Sequence, residues 1–211
     1  MVRPACFGSN PQTCPSNPFQ RPADDPPETI EARARAEFDA LAGALGNAGV
    51  EVHAYEDCAV PPCPDAAFPN NWVSFHADGT VVLFPMLAPN RRRERRLDLL
   101  RELERVGQFR VPRLLDLTHH EAVGRYLEGT GSMVLDHANL IAYACVSPRT
   151  HREPLAEFCA ELGYEACVFD AGDAAGVPIY HTNVLMTIGS RCALIAAGHV
   201  APPDRERVLA S

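Results

Sequence analysis

A chain of 211 residues, 46% hydrophobic and 22% charged, is long enough to bury a substantial core. Its net charge of -8 argues against a general nucleic-acid partner, and no apolar run reaches membrane-spanning length, so neither nucleic acid nor membrane is an expected partner. The start, Met1-Val2-Arg3-Pro4-Ala5-Cys6, lacks a secretory signal's apolar stretch, and the eight cysteines show no C-x-x-C, which predicts reduced thiols and a cytoplasmic location.

In chain order, Pro22–Pro27 reads as a stiff surface linker. Ile30, Ala34, Phe38, Leu41 and Leu45 give a helical stripe over 29–46, with Gly46 and Gly49 as stop signals and a strand Val50–Tyr55 beyond. A hairpin follows, Trp72–His76 and Thr80–Phe84, turning at Ala77-Asp78-Gly79. Asn90 is a candidate cap for a helix carrying Leu97, Leu100, Leu103 and Val106, and a strand is expected near Val111–Leu117.

The same order then returns. Thr118 and Glu121 have capping-box spacing for a short helix reaching Leu127. A second hairpin, Met133–Leu135 and Leu140–Val146, leads to a helix over 152–162 and a strand Ala166–Phe169. A third hairpin is expected over about 180–197, and Pro202-Pro203-Asp204 looks like a helix beginning. The repeating unit is hairpin, helix, strand. By that pattern the last unit lacks its second half.

Each hairpin is preceded by a polar cluster: Pro64-Asp65-Ala66-Ala67-Phe68-Pro69-Asn70-Asn71, Leu127-Glu128-Gly129-Thr130-Gly131-Ser132, and Tyr180-His181-Thr182-Asn183. Any one of them is explained by turn formation. Three at equivalent places in a repeat point to one shared site, with amides, a carboxylate and an imidazole suited to acid-base work.

Met1-Val2-Arg3-Pro4, Phe68-Pro69-Asn70-Asn71-Trp72, Pro85-Met86, Asn90-Arg91-Arg92, Glu128-Gly129-Thr130-Gly131-Ser132, Ser147-Pro148-Arg149-Thr150 and Tyr180-His181-Thr182-Asn183-Val184 together resemble the citrulline utilisation hydrolases. These belong to the amidinotransferase, or guanidine-modifying pentein, superfamily, with arginine deiminases and dimethylarginine hydrolases. The resemblance implies an α/β pentein of ββαβ units set five-fold around a central site. Here the ring is expected to be incomplete, a single partial catalytic domain over 1–211. Its units run roughly 1–57, 64–117, 127–170 and an incomplete 178–211.

By the same resemblance His181 takes the place of the acid-base histidine and Glu128 that of a carboxylate contacting both substrate and histidine. Asp65 matches an acidic substrate contact, and Arg91 and Arg149 match arginines that hold the substrate carboxylate, for which Arg offers a bidentate fork. His181 is expected to lie near Glu128 and Asn71. Deiminases carry Asp where this chain has Asn71 and Asn183. A neutral ureido group is matched by amides without the cost of unpaired buried carboxylates. Citrulline is therefore expected over arginine, although Glu128 pulls the other way.

The superfamily's nucleophilic cysteine lies in a late Gly-rich segment that has no counterpart here, so the nucleophile is unknown. Cys192 sits in an apolar strand sequence and reads as core. The expected reaction is hydrolysis of citrulline to ornithine, ammonia and carbon dioxide by covalent catalysis, without cofactor or metal. The alternatives are an arginine deiminase or amidinotransferase-type activity, or a silent truncated product that is inactive alone and self-associates through its broken ring. His53, Cys58, Cys63 and His76 include a C-x4-C spacing found in some zinc sites, but no second well-spaced pair follows Cys58 and Cys63, so no metal is expected there. His119-His120 is expected to be exposed in a helix's first turn, and Asp136-His137 to serve a hairpin turn.

Overall fold

The structure, a computed structural model, describes residues 1–21, 24–107 and 109–211. In chain order the elements are β1 (Val2–Arg3), α1 (Pro27–Asn47), β2 (Tyr55–Glu56), β3 (Val73–Phe75), β4 (Thr80–Leu83), α2 (Leu97–Arg105) and β5 (Arg113–Asp116). Then come α3 (Gly129–Ser132), β6 (Val134–Asp136), β7 (Ile141–Cys145), α4 (Arg152–Leu162), β8 (Glu165–Phe169), β9 (Met186–Ile188), β10 (Ala193–Ile195) and α5 (Pro202–Ala210). Of the expected linker, Pro22 and Ala23 lie outside the described residues, and Pro27 opens α1, where its missing N–H costs nothing.

Two three-stranded sheets run in the orders β3-β4-β5 and β6-β7-β8. In each, the first two strands form an antiparallel hairpin and the third lies parallel to the second. A parallel neighbour requires a crossover, and α2 and α4 supply it in sequence. The ββαβ order is thus present twice, and the β9–β10 hairpin followed by α5 starts it again. The chain divides into two compact units, one of Met1–Pro69 with Ala88–Arg110, the other of Asn70–Leu87 with Val111–Ser211.

The second unit holds most of the apolar packing. Leu155, Phe158 and Cys159 on α4 sit at helical spacing and bury against Val82, Phe84, Leu117, Leu127 and Met133. Phe158 packs on Phe84 at 5.9 Å between ring centres and stacks on Tyr164 at 5.7 Å. Full burial of such a side chain contributes about 1.5–3 kcal/mol. A second cluster gathers Tyr143, Cys145, Phe169, Leu185, Met186, Val200 and Val208 on the other face of β7, whose Ala142 and Ala144 belong to the first. In the first unit Val2, Cys63 and Ala66 bury together with Leu99 against them, while α1 buries none of its residues fully. Among the described residues no helix is long and apolar enough to cross a membrane.

Where local sequence signals compete with distant partners, the distant partners win. The strand expected over Val50–Tyr55 is reduced to Tyr55–Glu56, because its parallel partner β1 offers only two residues. Asn90 does not cap a helix through its side chain; its amide pairs with Asn10, donating at 2.7 Å to Asn10 Oδ1. Arg91–Glu94 forms a 3-10 turn, and α2 begins only at Leu97. Thr118 and Glu121 form no capping box. Thr118–Val123 is a 3-10 helix ended by Gly124 at φ 67°, and Glu121 Oε1 instead accepts the Met86 N–H at 2.8 Å. The Asp78-Gly79 turn is as expected, with Asp78 Oδ1 accepting the Thr80 N–H at 2.8 Å and Gly79 at φ 86°.

Candidate active site

The second unit contains Asn71, Glu128, Arg149, His181 and Asn183; the first contains Asp65 and Arg91. In the second unit the central element is the one-turn helix α3, which starts directly after Glu128. Its two glycines are structural requirements. Gly129 has φ +47°, and a Cβ there would overlap the backbone carbonyl of Asn70. A Cβ on Gly131 would collide with the Asn71 amide nitrogen and lie 2.7 Å from His181 Nδ1. The bare Cα of Gly131 therefore lets the Asn71 amide and the His181 ring approach the same spot.

Glu128 is wholly buried, and His181, Asn71 and Arg149 are 5%, 5% and 2% exposed. His181 Nε2 donates to Glu128 Oε2 at 2.9 Å. A carboxylate can only accept, so this contact puts the proton on Nε2 and, in the neutral ring, leaves the lone pair on Nδ1 beside Gly131. Arg149 reaches the same carboxylate oxygen at 3.4 Å, and the Leu87 N–H donates to Oε1 at 3.1 Å. Arg149 also lies over the Tyr180 ring, 5.1 Å from its centre.

Hydroxyl bridges fix these residues from behind. Ser132 Oγ accepts from the Glu128 N–H and donates to the Arg149 carbonyl, both at 2.8 Å. Thr182 Oγ1 donates to the Ser132 carbonyl at 2.6 Å and accepts from the Cys145 N–H at 2.8 Å. Asn71 Nδ2 donates to the Glu128 carbonyl at 3.4 Å. The structure thus brings together His181, Glu128, Arg149 and Asn71. Asn183 follows in the same 3-10 turn as Thr182 but is exposed.

In the first unit Asp65 Oδ2 accepts from Asn10 Nδ2 at 2.7 Å and from Thr13 Oγ1 at 3.2 Å, and Arg91 Nε lies 3.7 Å away. Arg91 is buried with its fork on Glu94, Nε at 3.0 Å and a terminal nitrogen at 2.9 Å. Glu94 was missed in the sequence, although its spacing of three from Arg91 is a readable pairing signal. The Asn10–Asn90 pair and Gln12, whose Oε1 accepts the Asn90 N–H at 2.9 Å, had no local signal.

The cysteines divide by burial. Cys63, Cys145, Cys159 and Cys167 are buried, whereas Cys58 and Cys192 are exposed, so Cys192 is not the core residue its apolar setting suggests. The strand that follows it, β10, is itself largely exposed. Burial pushes the Cys63 and Cys159 thiols up to about 11 and raises Cys145 as well. A thiol of pKa about 11 holds on the order of 0.03% thiolate at pH 7.5, far below an ordinary thiol. Iodoacetamide at that pH should therefore modify Cys58 and Cys192 and leave Cys63 and Cys159 largely unlabelled on peptide mass spectrometry. Rapid labelling of Cys63 or Cys159 in the folded chain would contradict this. The residues set aside as zinc ligands have other contacts: His53 pairs with Glu51 at 3.0 Å, and His76 packs on Phe158.

A sequence model described as N,N dimethylarginine dimethylhydrolase, eukaryotic, matches residues 3–211. No curated protein matches the chain. Among solved structures, the substrate-bound N-terminal domain of ArgZ, an arginine dihydrolase from the ornithine-ammonia cycle in Cyanobacteria, has a TM-score of 0.71 at 15% identity, covering 99% of this chain and 69% of that one. AgrE in its ternary complex with ornithine and NAD+ has a TM-score of 0.71 at 17% identity, covering 99% of this chain and 28% of AgrE. A dimethylarginine dimethylaminohydrolase adduct with 4-chloro-2-hydroxymethylpyridine has 0.62 at 17%, covering 84% and 65%. At such identities the likeness is one of fold, the mixed α/β fold of the penteins. With the family match running over nearly its whole length, this chain belongs to the N,N-dimethylarginine dimethylhydrolase family.

Proposed function

We propose that the chain carries the acid-base and substrate-positioning residues of a hydrolase that cleaves a linear C–N bond in a ureido or guanidino amino acid, with citrulline preferred. The observation that carries this reading is the buried His181–Glu128 pair at 2.9 Å with the Asn71 amide against the same glycine. Cleavage of a ureido C–N bond needs a proton delivered to the leaving amine and one later removed from water. A buried imidazole held by a carboxylate does both in turn. Summed over the reaction, citrulline and one water give ornithine, ammonia and carbon dioxide.

The charge pattern favours a neutral substrate group. Arg149 already lies 3.4 Å from the Glu128 carboxylate, with both side chains almost wholly buried, so its negative charge is matched within the site. A guanidinium would arrive beside that paired carboxylate and a neutral amide, where deiminases offer further carboxylates. A guanidino substrate is the second reading, favoured by the family's own description and by retention of an ionisable group at Glu128.

Citrulline, arginine and dimethylarginine are to be compared by calorimetric binding to the purified chain, with ornithine, ammonia and dimethylamine release followed in parallel. Citrulline should bind most tightly. Changing Asn71→Asp and Asn183→Asp together should weaken citrulline and strengthen arginine, shifting the preference by about tenfold or more, since a mispaired charge costs about 2–5 kcal/mol. Arginine binding tighter than citrulline in the unmodified chain, or a preference unmoved by the double change, would overturn the assignment.

A further inference from the structure

We propose that His119, His120 and Glu157, in the second unit, form a site for one zinc-class divalent cation that is distinct from the His181–Glu128 group. The His pair was expected to be exposed, yet His120 is buried. The cause is a partner 37 positions on in α4: His120 Nε2 lies 2.8 Å from Glu157 Oε2, and His119 Nε2 lies 3.3 Å from the same oxygen. The three ligand atoms all lie within 4.8 Å of one another. The 3-10 winding of Thr118–Val123 sets the consecutive rings side by side, with centres 4.3 Å apart and planes at 32°.

The tautomer of His119 supplies the second argument. Its Nδ1 lies 3.2 Å from the Asp116 carbonyl, which has no proton to give, so Nδ1 is the donor. The neutral ring then turns the lone pair of Nε2 toward a carboxylate oxygen, acceptor against acceptor. A shared cation removes that conflict, either a second proton on His119 or a metal ion held by the three atoms. Donors each about 2.0–2.1 Å from a tetrahedral ion stand roughly 3.3 Å apart, which is the His119–Glu157 spacing; the His120–Glu157 contact, at 2.8 Å, is a hydrogen bond that gives up its proton and opens by about half an ångström when the ion enters. An imidazole with its other nitrogen donating to a carbonyl is also how metal-bound histidines are held in orientation.

Two imidazoles and one carboxylate suit zinc rather than magnesium or calcium, which take oxygen ligands. His119 is exposed and Glu157 half-buried, so an ion can enter and keep a water as its fourth ligand. Bound there, it would clip the 3-10 segment to α4 and stabilise the second unit by mass action.

Zinc chloride titrated into the purified chain should show one site by calorimetry and raise the melting temperature, while magnesium chloride should do neither. His119→Ala and Glu157→Gln should each weaken that site by about tenfold or more and remove the thermal shift. Both variants keep all eight cysteines and His181, so zinc held by thiols or by the active-site histidine would bind them as it binds the unmodified chain. That result, failure of the unmodified chain to bind zinc, or equal binding of magnesium would each overturn the proposal.

Discussion

Replacing Gly129 with Ala should cost the protein several kcal/mol, and the loss should appear as a fall in melting temperature well outside measurement error. Two independent terms add. Gly129 sits at φ +47°, a left-handed conformation that costs an L-residue about 1–2 kcal/mol. The new Cβ would also overlap the Asn70 carbonyl oxygen and lie 3.1 Å from that of Asn71. Both obstacles are backbone and cannot swing aside. Forced repacking of that kind costs about 1–3 kcal/mol. With about 2–4 °C lost per kcal/mol for a chain of this size, the melting temperature should drop by roughly 5–15 °C. Gly131→Ala provides the contrast, because its Cβ meets the Asn71 and His181 side chains. These can move, so the fold should survive better while the pairing of His181 with Glu128 is disturbed. Melting of Gly129→Ala within about 2 °C of the parent, followed by circular dichroism, would show that this segment tolerates a side chain after all.

The parts of this structure that are legible in the sequence are those whose partners lie close by in the chain. The Asp78-Gly79 turn carries its own hydrogen-bond acceptor and its own positive φ, so the first hairpin could be read from two residues. Helix α4 shows its buried stripe, Leu155, Phe158 and Cys159, and stops at Gly163 with φ 75°. Glu128, Asn71 and His181 could be named through their resemblance to a family motif. The reason they meet could not, because it depends on Ser132 and Thr182, hydroxyl residues joined to partners 17 and 50 positions away. Nothing local distinguishes such a Ser or Thr from a surface one.

The misreadings have the same origin. Asn90 is a sound cap by type, but its partner Asn10 is 80 positions away. Glu121 has the right spacing for a capping box, but Met86 offers its N–H instead. His119-His120 looks exposed until α4 brings Glu157 beside it. Arg91 has its guanidinium paired with Glu94 in the fold, a neighbour that the motif carrying the arginine does not announce. A buried charge needs a permanent partner within the protein, and that requirement is not visible in a motif.

Glu128→Ala is expected to have the largest effect of any side-chain truncation at the site. The carboxylate is fully buried, and its donors include His181 at 2.9 Å, Arg149 at 3.4 Å and the Leu87 N–H at 3.1 Å. Its removal takes a carboxylate away from the buried Arg149 guanidinium, and breaking a buried pair of this kind costs about 3–5 kcal/mol. The position of the charge makes the argument testable by a second change. If loss of this charge pairing is the cause, adding Arg149→Met should recover part of the loss, because an apolar side chain of similar length has no charge to match. Urea denaturation of the two single variants and the double variant measures the coupling directly. Glu128→Gln keeps the shape and an acceptor for Leu87 but not the charge, and should fall between the parent and Glu128→Ala. A loss below about 1 kcal/mol for Glu128→Ala, or an Arg149→Met change that adds to the loss, would mean that this carboxylate does not hold the cluster together.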